Sequence, residues 1–81
     1  MYSIELSKFS QRYLKSIPRS EGDLILKKIY SIRFNPFHYL KKLKGSKLWR
    51  LRIKDYRAII DVIVSGKKII VVRIGHRKNV Y

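Results

Sequence analysis

Apolar and polar residues alternate one for one from Trp49 to Lys54, with Trp49, Leu51 and Ile53 set against Arg50, Arg52 and Lys54. A period of two marks a β-strand with one face buried. Two further segments, Tyr56 to Val64 and Lys68 to Gly75, are rich in Ile and Val and predict two more strands. Lys54-Asp55 reads as a two-residue turn between the first pair, and Ser65-Gly66-Lys67 as a three-residue hairpin loop with Gly66 at positive φ. Those turns set a register. Ile53 then faces Tyr56, Leu51 faces Ala58 and Trp49 faces Ile60, which keeps apolar beside apolar. The same register sets Arg52 across from Arg57, Arg50 across from Ile59, and Arg73 across from Ile59 on its other side. Arg50, Arg52, Arg57 and Arg73 therefore share one face. Like charges opposed across a strand pair are destabilising, and the arrangement makes physical sense if a polyanion lies there.

Upstream the pattern changes. Tyr2 to Leu6 alternates weakly and suits a short strand. Ser7 is placed to cap a helix whose apolar residues Phe9, Tyr13 and Ile17 recur every fourth position beside Leu14, with Lys8, Gln11, Arg12 and Lys15 outward, and Pro18 ends it. Ser20 opens a second helix with Glu21 and Asp23 in its first turn and Ile25, Ile29 and Ile32 as its buried stripe; Asn35-Pro36 stops it. From Phe37 to Lys47 no period is clear, although Leu40 and Leu43 suit the interior, Lys41, Lys42, Lys44 and Lys47 suit solvent, and Gly45 suits a turn. The expected order is β-α-α-β-β-β: a small single α+β domain over residues 1–81, with a helical hairpin packed on a mainly antiparallel sheet.

Charge narrows the function. Twenty Lys and Arg stand against five Asp and Glu, a formal charge of +15. Such an imbalance raises the local concentration of polyanions, so nucleic acid is the first partner to consider, an acidic protein the second and an anionic membrane a distant third. The chain has no cysteine, and its two histidines, His38 and His76, do not make a structural zinc site unaided. No apolar run reaches the roughly 20 residues of a membrane span, and Met1 leads into a strand rather than a signal peptide, so a soluble cytoplasmic protein is expected. Carboxylates are too few for a two-metal nuclease, and no Walker loop or Gly-rich dinucleotide motif is present. No cofactor or metal is expected. Asp61, mid-strand on the arginine face, reads first as a counter-ion for a neighbouring arginine. The run Arg73-Ile74-Gly75-His76-Arg77-Lys78-Asn79-Val80-Tyr81 reads equally as a functional strand end or as a basic tail with Tyr81 packed last.

Three segments carry a resemblance: LKKLKG before the first hairpin strand, LWRLRIKDYRAIIDV across the hairpin, and VVRIGHRKNVY at the end. Together they resemble the RelE/ParE superfamily of toxin–antitoxin toxins, and within it the RelE-like mRNA interferases. The resemblance implies metal-free endoribonuclease chemistry: mRNA on the ribosome is cut in the decoding site when a ribose 2′-OH attacks the adjacent phosphorus. By position it implies catalytic roles for Arg52, Arg57, Arg77 and Tyr81. Tyr81 would be the base, its phenolate favoured by nearby cations, and Arg57 and Arg77 would hold the pentavalent phosphorane. Arg50, Lys54, Arg73 and His76 would bind RNA, and His76 could also supply a proton. A small acidic antitoxin that folds on binding is the implied partner, in a hetero-oligomeric complex with no membrane role. The chain departs from the family in carrying arginines where some members have lysines, in the short turn at Lys54-Asp55, and in ending at Tyr81 where others continue into a helix. The alternatives are a ParE-type toxin that inhibits DNA gyrase and a non-catalytic basic nucleic-acid-binding module.

Overall fold

In the computed structural model, which describes residues 1–76 and 78, the alternation of the last third folds as anticipated. Among the described residues the order is β1 (Ser3–Leu6), α1 (Lys8–Ser16), α2 (Arg19–Ser31), α3 (Pro36–Tyr39), β2 (Lys41–Lys42), β3 (Trp49–Ile53), β4 (Tyr56–Ile63) and β5 (Lys68–His76). The strands form one sheet in the order β1-β5-β4-β3-β2, parallel between β1 and β5 and antiparallel elsewhere. The α+β class and the helical hairpin on a mainly antiparallel sheet are borne out. The short α3 and the two-residue β2 are additions, because elements of four and two residues carry too little periodicity to read.

The β3–β4 register is the anticipated one, from Ile53 opposite Tyr56 to Trp49 opposite Ile60. The turn between them puts Lys54 at φ 50. In the next hairpin the outcome agrees but the route differs. Ile63 pairs with Lys68, so the loop has four residues, Val64 to Lys67, and Lys67 (φ 48) rather than Gly66 takes the left-handed conformation. That ladder would set Val72 opposite Ile59. Instead a bulge intervenes: Ile60 pairs with Val71 and Ile59 with Arg73, leaving Val72 as the extra residue. Loop and bulge cancel, and Arg73 returns to the arginine face.

One face of the sheet is covered by helices. Leu51, Ile53, Ala58, Ile60, Ile69, Val71 and Ile74 from the strands meet Ile25 and Ile29 of α2 and its C-cap residue Ile32 in one buried cluster. Helix α2 begins at Arg19 without a side-chain cap, in place of the expected Ser20 cap. The Pro18 carbonyl opens the helix by accepting from the Glu21 and Gly22 N–H groups at 3.0 Å.

Helix α1 uses its inner face unexpectedly. Phe9 is 45 % exposed, while Ser10 is fully buried. Strand β1 pairs only with the first half of β5, Lys68 to Val71, and α1 runs along the edge that β1 leaves open. The Ser10 hydroxyl donates to the Val71 carbonyl (3.0 Å) and the Ser7 hydroxyl to the Val72 carbonyl (2.7 Å), while Ser7 Oγ accepts the Ser10 N–H (3.0 Å) as N-cap. A strand edge presents polar backbone groups rather than an apolar surface, so serine is the residue that fits.

Candidate nucleic-acid interface

The face of the sheet turned away from α2 carries the arginines. Residues at alternate positions of a strand share a face, so Arg50 and Arg52 of β3 and Arg57 of β4 project opposite the helix-packed Leu51, Ile53 and Ala58. Arg52 is directly across from Arg57, and Gly75 of β5 is across from Arg57 on its other side. Glycine puts no side chain on that face. Arg50, Arg52 and Arg57 line one recess of about 120 Å³ with Lys41 and Tyr39. Arg50 and Arg57 are half-buried, and Arg52 is exposed. Four cations thus share one small concavity, where the walls concentrate the field.

The fourth arginine of the face stands apart. Arg73 is exposed, and its guanidinium lies 4.9 Å from the centroid of the Phe9 ring on α1. It extends the cationic surface past the bulge towards the edge of the sheet. Lys54 sits in the β3–β4 turn and lines a larger groove of about 460 Å³ with Leu24, Lys27, Lys28, Ser31, Arg52 and Ile53. Among the described residues only Arg52 borders both hollows.

His76 is not brought together with the arginines. It pairs with Tyr56 at the end of β5, and the two rings meet at 5.9 Å on the helix side of the sheet, where Tyr56 also meets Tyr13 of α1 at 6.4 Å. Burial pushes the Tyr13 phenol above its ordinary value of 10.0; the neighbouring Tyr56 adds to the rise and the His76 main-chain N–H opposes it. Arg77 and Tyr81 lie outside the described residues. Asp61 is a counter-ion, but for Lys47 at 3.6 Å rather than for an arginine. Among the described residues no three His, Cys, Asp or Glu side chains cluster as a metal site would require, and no helix is long and apolar enough to cross a membrane.

Sequence reasoning missed Tyr39 altogether. The signal was faint: an aromatic residue one place before a buried leucine, in a stretch with no period. Tyr39 is positioned by α3, whose Pro36 is buried at the first turn and whose Leu40 N–H closes on the Pro36 carbonyl at 3.1 Å.

A family model described as "ParE toxin of type II toxin-antitoxin system, parDE" matches residues 4–81. The chain belongs to this toxin family. Solved structures agree on the fold. The RelBE2 toxin–antitoxin complex of Mycobacterium tuberculosis is matched with a TM-score of 0.87 at 16% identity, over 94% of this chain and 98% of that one. The archaeal RelE–RelB complex of Pyrococcus horikoshii is matched at 0.82 and 25% identity, over 96% and 97%. The RelB–RelE complex of Methanococcus jannaschii gives 0.66 at 30% identity, over 95% and 94%. Among curated proteins, none matches this chain. The protein is therefore a toxin of the RelE/ParE superfamily, as its hairpin and C-terminal motifs indicated.

Proposed function

We propose that this toxin is a ribosome-dependent mRNA endoribonuclease acting in the cytoplasm. The observation that carries the reading is the convergence of Arg50, Arg52 and Arg57 with Lys41 around one recess on the sheet face turned away from α2. Opposed arginines are a cost to the free fold, and a phosphodiester backbone relieves it. Planar guanidinium groups suit the phosphoryl oxygens, which they grip in pairs.

In the proposed reaction the ribose 2′-oxygen bonds to the adjacent phosphorus and the bond to the 5′-oxygen breaks, giving a 2′,3′-cyclic phosphate. Tyr81, as phenolate, takes the 2′-OH proton, and the departing 5′-oxygen collects a proton from water. Arg57 and Arg77 stabilise the charge that grows on the phosphorane, Arg52 favours the phenolate, and Arg50, Lys54 and Arg73 hold the flanking RNA. His76, beside Tyr56 on the helix side, binds RNA only at the rim. The structural relatives are complexes with an antitoxin; for this chain we infer an acidic antitoxin segment that folds on binding and neutralises part of the +15 charge.

A second reading has a specific observation behind it, because the matching family model bears the ParE name. A ParE-type toxin would inhibit DNA gyrase and cleave nothing. Primer extension on translated mRNA after induction, run beside a gyrase supercoiling assay, separates the two. New 5′ ends on ribosome-bound mRNA with normal supercoiling support the nuclease. Blocked supercoiling with intact mRNA overturns it. Tyr81→Phe should lower cleavage by about 10²–10⁴-fold, the usual loss with a general base; cleavage within about threefold of wild type removes Tyr81 from that role, against the at least ~10²-fold loss a base implies.

A further inference from the structure

Most of the recess wall is cationic, and Tyr39 is the exception. Phosphate needs only the cations. An aromatic ring in the same hollow matches what lies next to a phosphate in single-stranded RNA, a nucleobase with an exposed π-face. We propose that Tyr39 is a stacking platform for a base flanking the phosphate held by Arg50, Arg52 and Arg57, and so a positioning and specificity residue of this toxin. The inference rests on the reading of the arginine face as an RNA surface.

Three features of the structure support it. First, Tyr39 is placed firmly. Pro36 and Leu40 on either side of it are buried, and Phe37 packs on Trp49 of β3 with ring centroids 5.0 Å apart, so α3 is fastened to the sheet. Second, the ring is oriented. Lys28 Nζ of α2 lies 4.9 Å from its centroid, and the His38 ring meets it edge-on at 4.9 Å. Third, Tyr39 remains 44 % exposed. A lone exposed aromatic is ordinary. One held between a lysine and a histidine, at the rim of a recess with three arginines, has the composition of single-strand binding grooves, where cations follow the backbone and rings receive the bases. A protein partner would also cover an aromatic surface, but Tyr39 shares its hollow with Lys41, Arg50, Arg52 and Arg57, which favours a ligand with phosphate and base one nucleotide apart.

The test uses the full chain and a 2′-O-methyl hexaribonucleotide, which cannot be cut by 2′-OH attack, with 2-aminopurine placed at each position in turn. Stacking quenches 2-aminopurine. Wild type should quench at one or two adjacent positions. Tyr39→Ala should abolish that quenching and weaken binding by about 5- to 100-fold, the span of one lost base–aromatic stack. Tyr39→Phe and Tyr39→Trp should restore both, because the π-face and not the hydroxyl is used. Quenching that survives in Tyr39→Ala overturns the proposal. So does a uniform loss of affinity that Phe does not rescue, which would mean that Tyr39 only shapes the recess. If Tyr39→Ala binds RNA normally but resists neutralisation by its antitoxin, the ring belongs to a protein interface and the proposal falls. Arg50→Ala serves as the control on the underlying reading. If neither wild type nor Arg50→Ala binds the oligonucleotide, the RNA face itself is refuted; if Arg50→Ala weakens binding while Tyr39→Ala does not, only the stacking role is lost.

Discussion

Arg52 and Arg57 stand directly opposite one another across β3 and β4, on the face of the sheet turned away from α2. Two guanidinium groups so placed repel each other, and each cross-strand pair is worth roughly 0.2–1 kcal/mol. Replacing the exposed partner, Arg52→Gln, should therefore stabilise the free protein by about 0.5 kcal/mol while reducing its toxicity. Urea unfolding in low and high salt checks this, because screening should shrink the gain. A destabilised Arg52→Gln would show that the pair is held together by other contacts.

Arg50 lines the same recess one pair further along, so its loss should be felt as a lost phosphate contact. The dependence of log K on log salt for single-stranded RNA should have a slope of roughly −3.5 if about five phosphates are neutralised, and Arg50→Ala should lower its magnitude by about 0.7. Titrations at several salt concentrations measure it. An unchanged slope takes Arg50 off the RNA path.

The serines that fasten α1 to the bulge make a stability prediction. Ser10→Ala removes a buried hydroxyl that donates to the Val71 carbonyl, which keeps the Ser7 N–H as a second donor at 3.0 Å. The loss should be about 1 kcal/mol. Ser7→Ala removes both the helix cap and the link to Val72 and should cost about 1–2 kcal/mol. Because each serine holds the other, the double variant should lose less than the sum of the two. Urea midpoints of the single and double variants give the coupling.

Alkaline pH should expose Tyr13. Its folded phenol titrates above 10.0 because of burial first and Tyr56 second. Between the unfolded and folded values the native state holds a proton that the unfolded chain has lost, so this contribution to stability is complete below pH 10.0 and declines as pH rises above it. Tyr13→Phe has no proton to lose and should show a shallower decline. The difference in urea midpoint between wild type and Tyr13→Phe, followed from pH 8 to about pH 11 across the tyrosine range, decides the matter.

What the sequence disclosed, and what it hid, follows from how far each feature depends on strand alternation. Trp49 to Ile53 announces a half-buried strand, and two-residue periodicity then leaves one sensible register with Tyr56 to Ile60. The arginine face was legible for that reason. Phe9 and Ser10 were not. A helix is read on the assumption that its apolar stripe meets an apolar surface, which holds for Tyr13, Leu14 and Ile17, whereas the start of α1 meets the backbone of β5 and turns Ser10 inward. The partner of Asp61 was hidden because Lys47 reaches it from a loop rather than along the ladder. Tyr39 was hidden because the four-residue α3 is shorter than any period that could reveal it.

The bulge at Val72 has a consequence for how this protein tolerates change in length. A three-residue loop with an unbroken ladder and a four-residue loop with one bulged residue both return Arg73 to Ile59. What matters is the ladder register at those two positions, since a one-residue slip there would turn Arg73 towards the helices. The hairpin thus carries one residue of slack, stored at the edge of β5 where Ser7 and Ser10 take up the displaced carbonyls. A length change at the loop has somewhere to go other than the arginine face, which makes Val64 to Lys67 the natural place to insert a tag or a spectroscopic label.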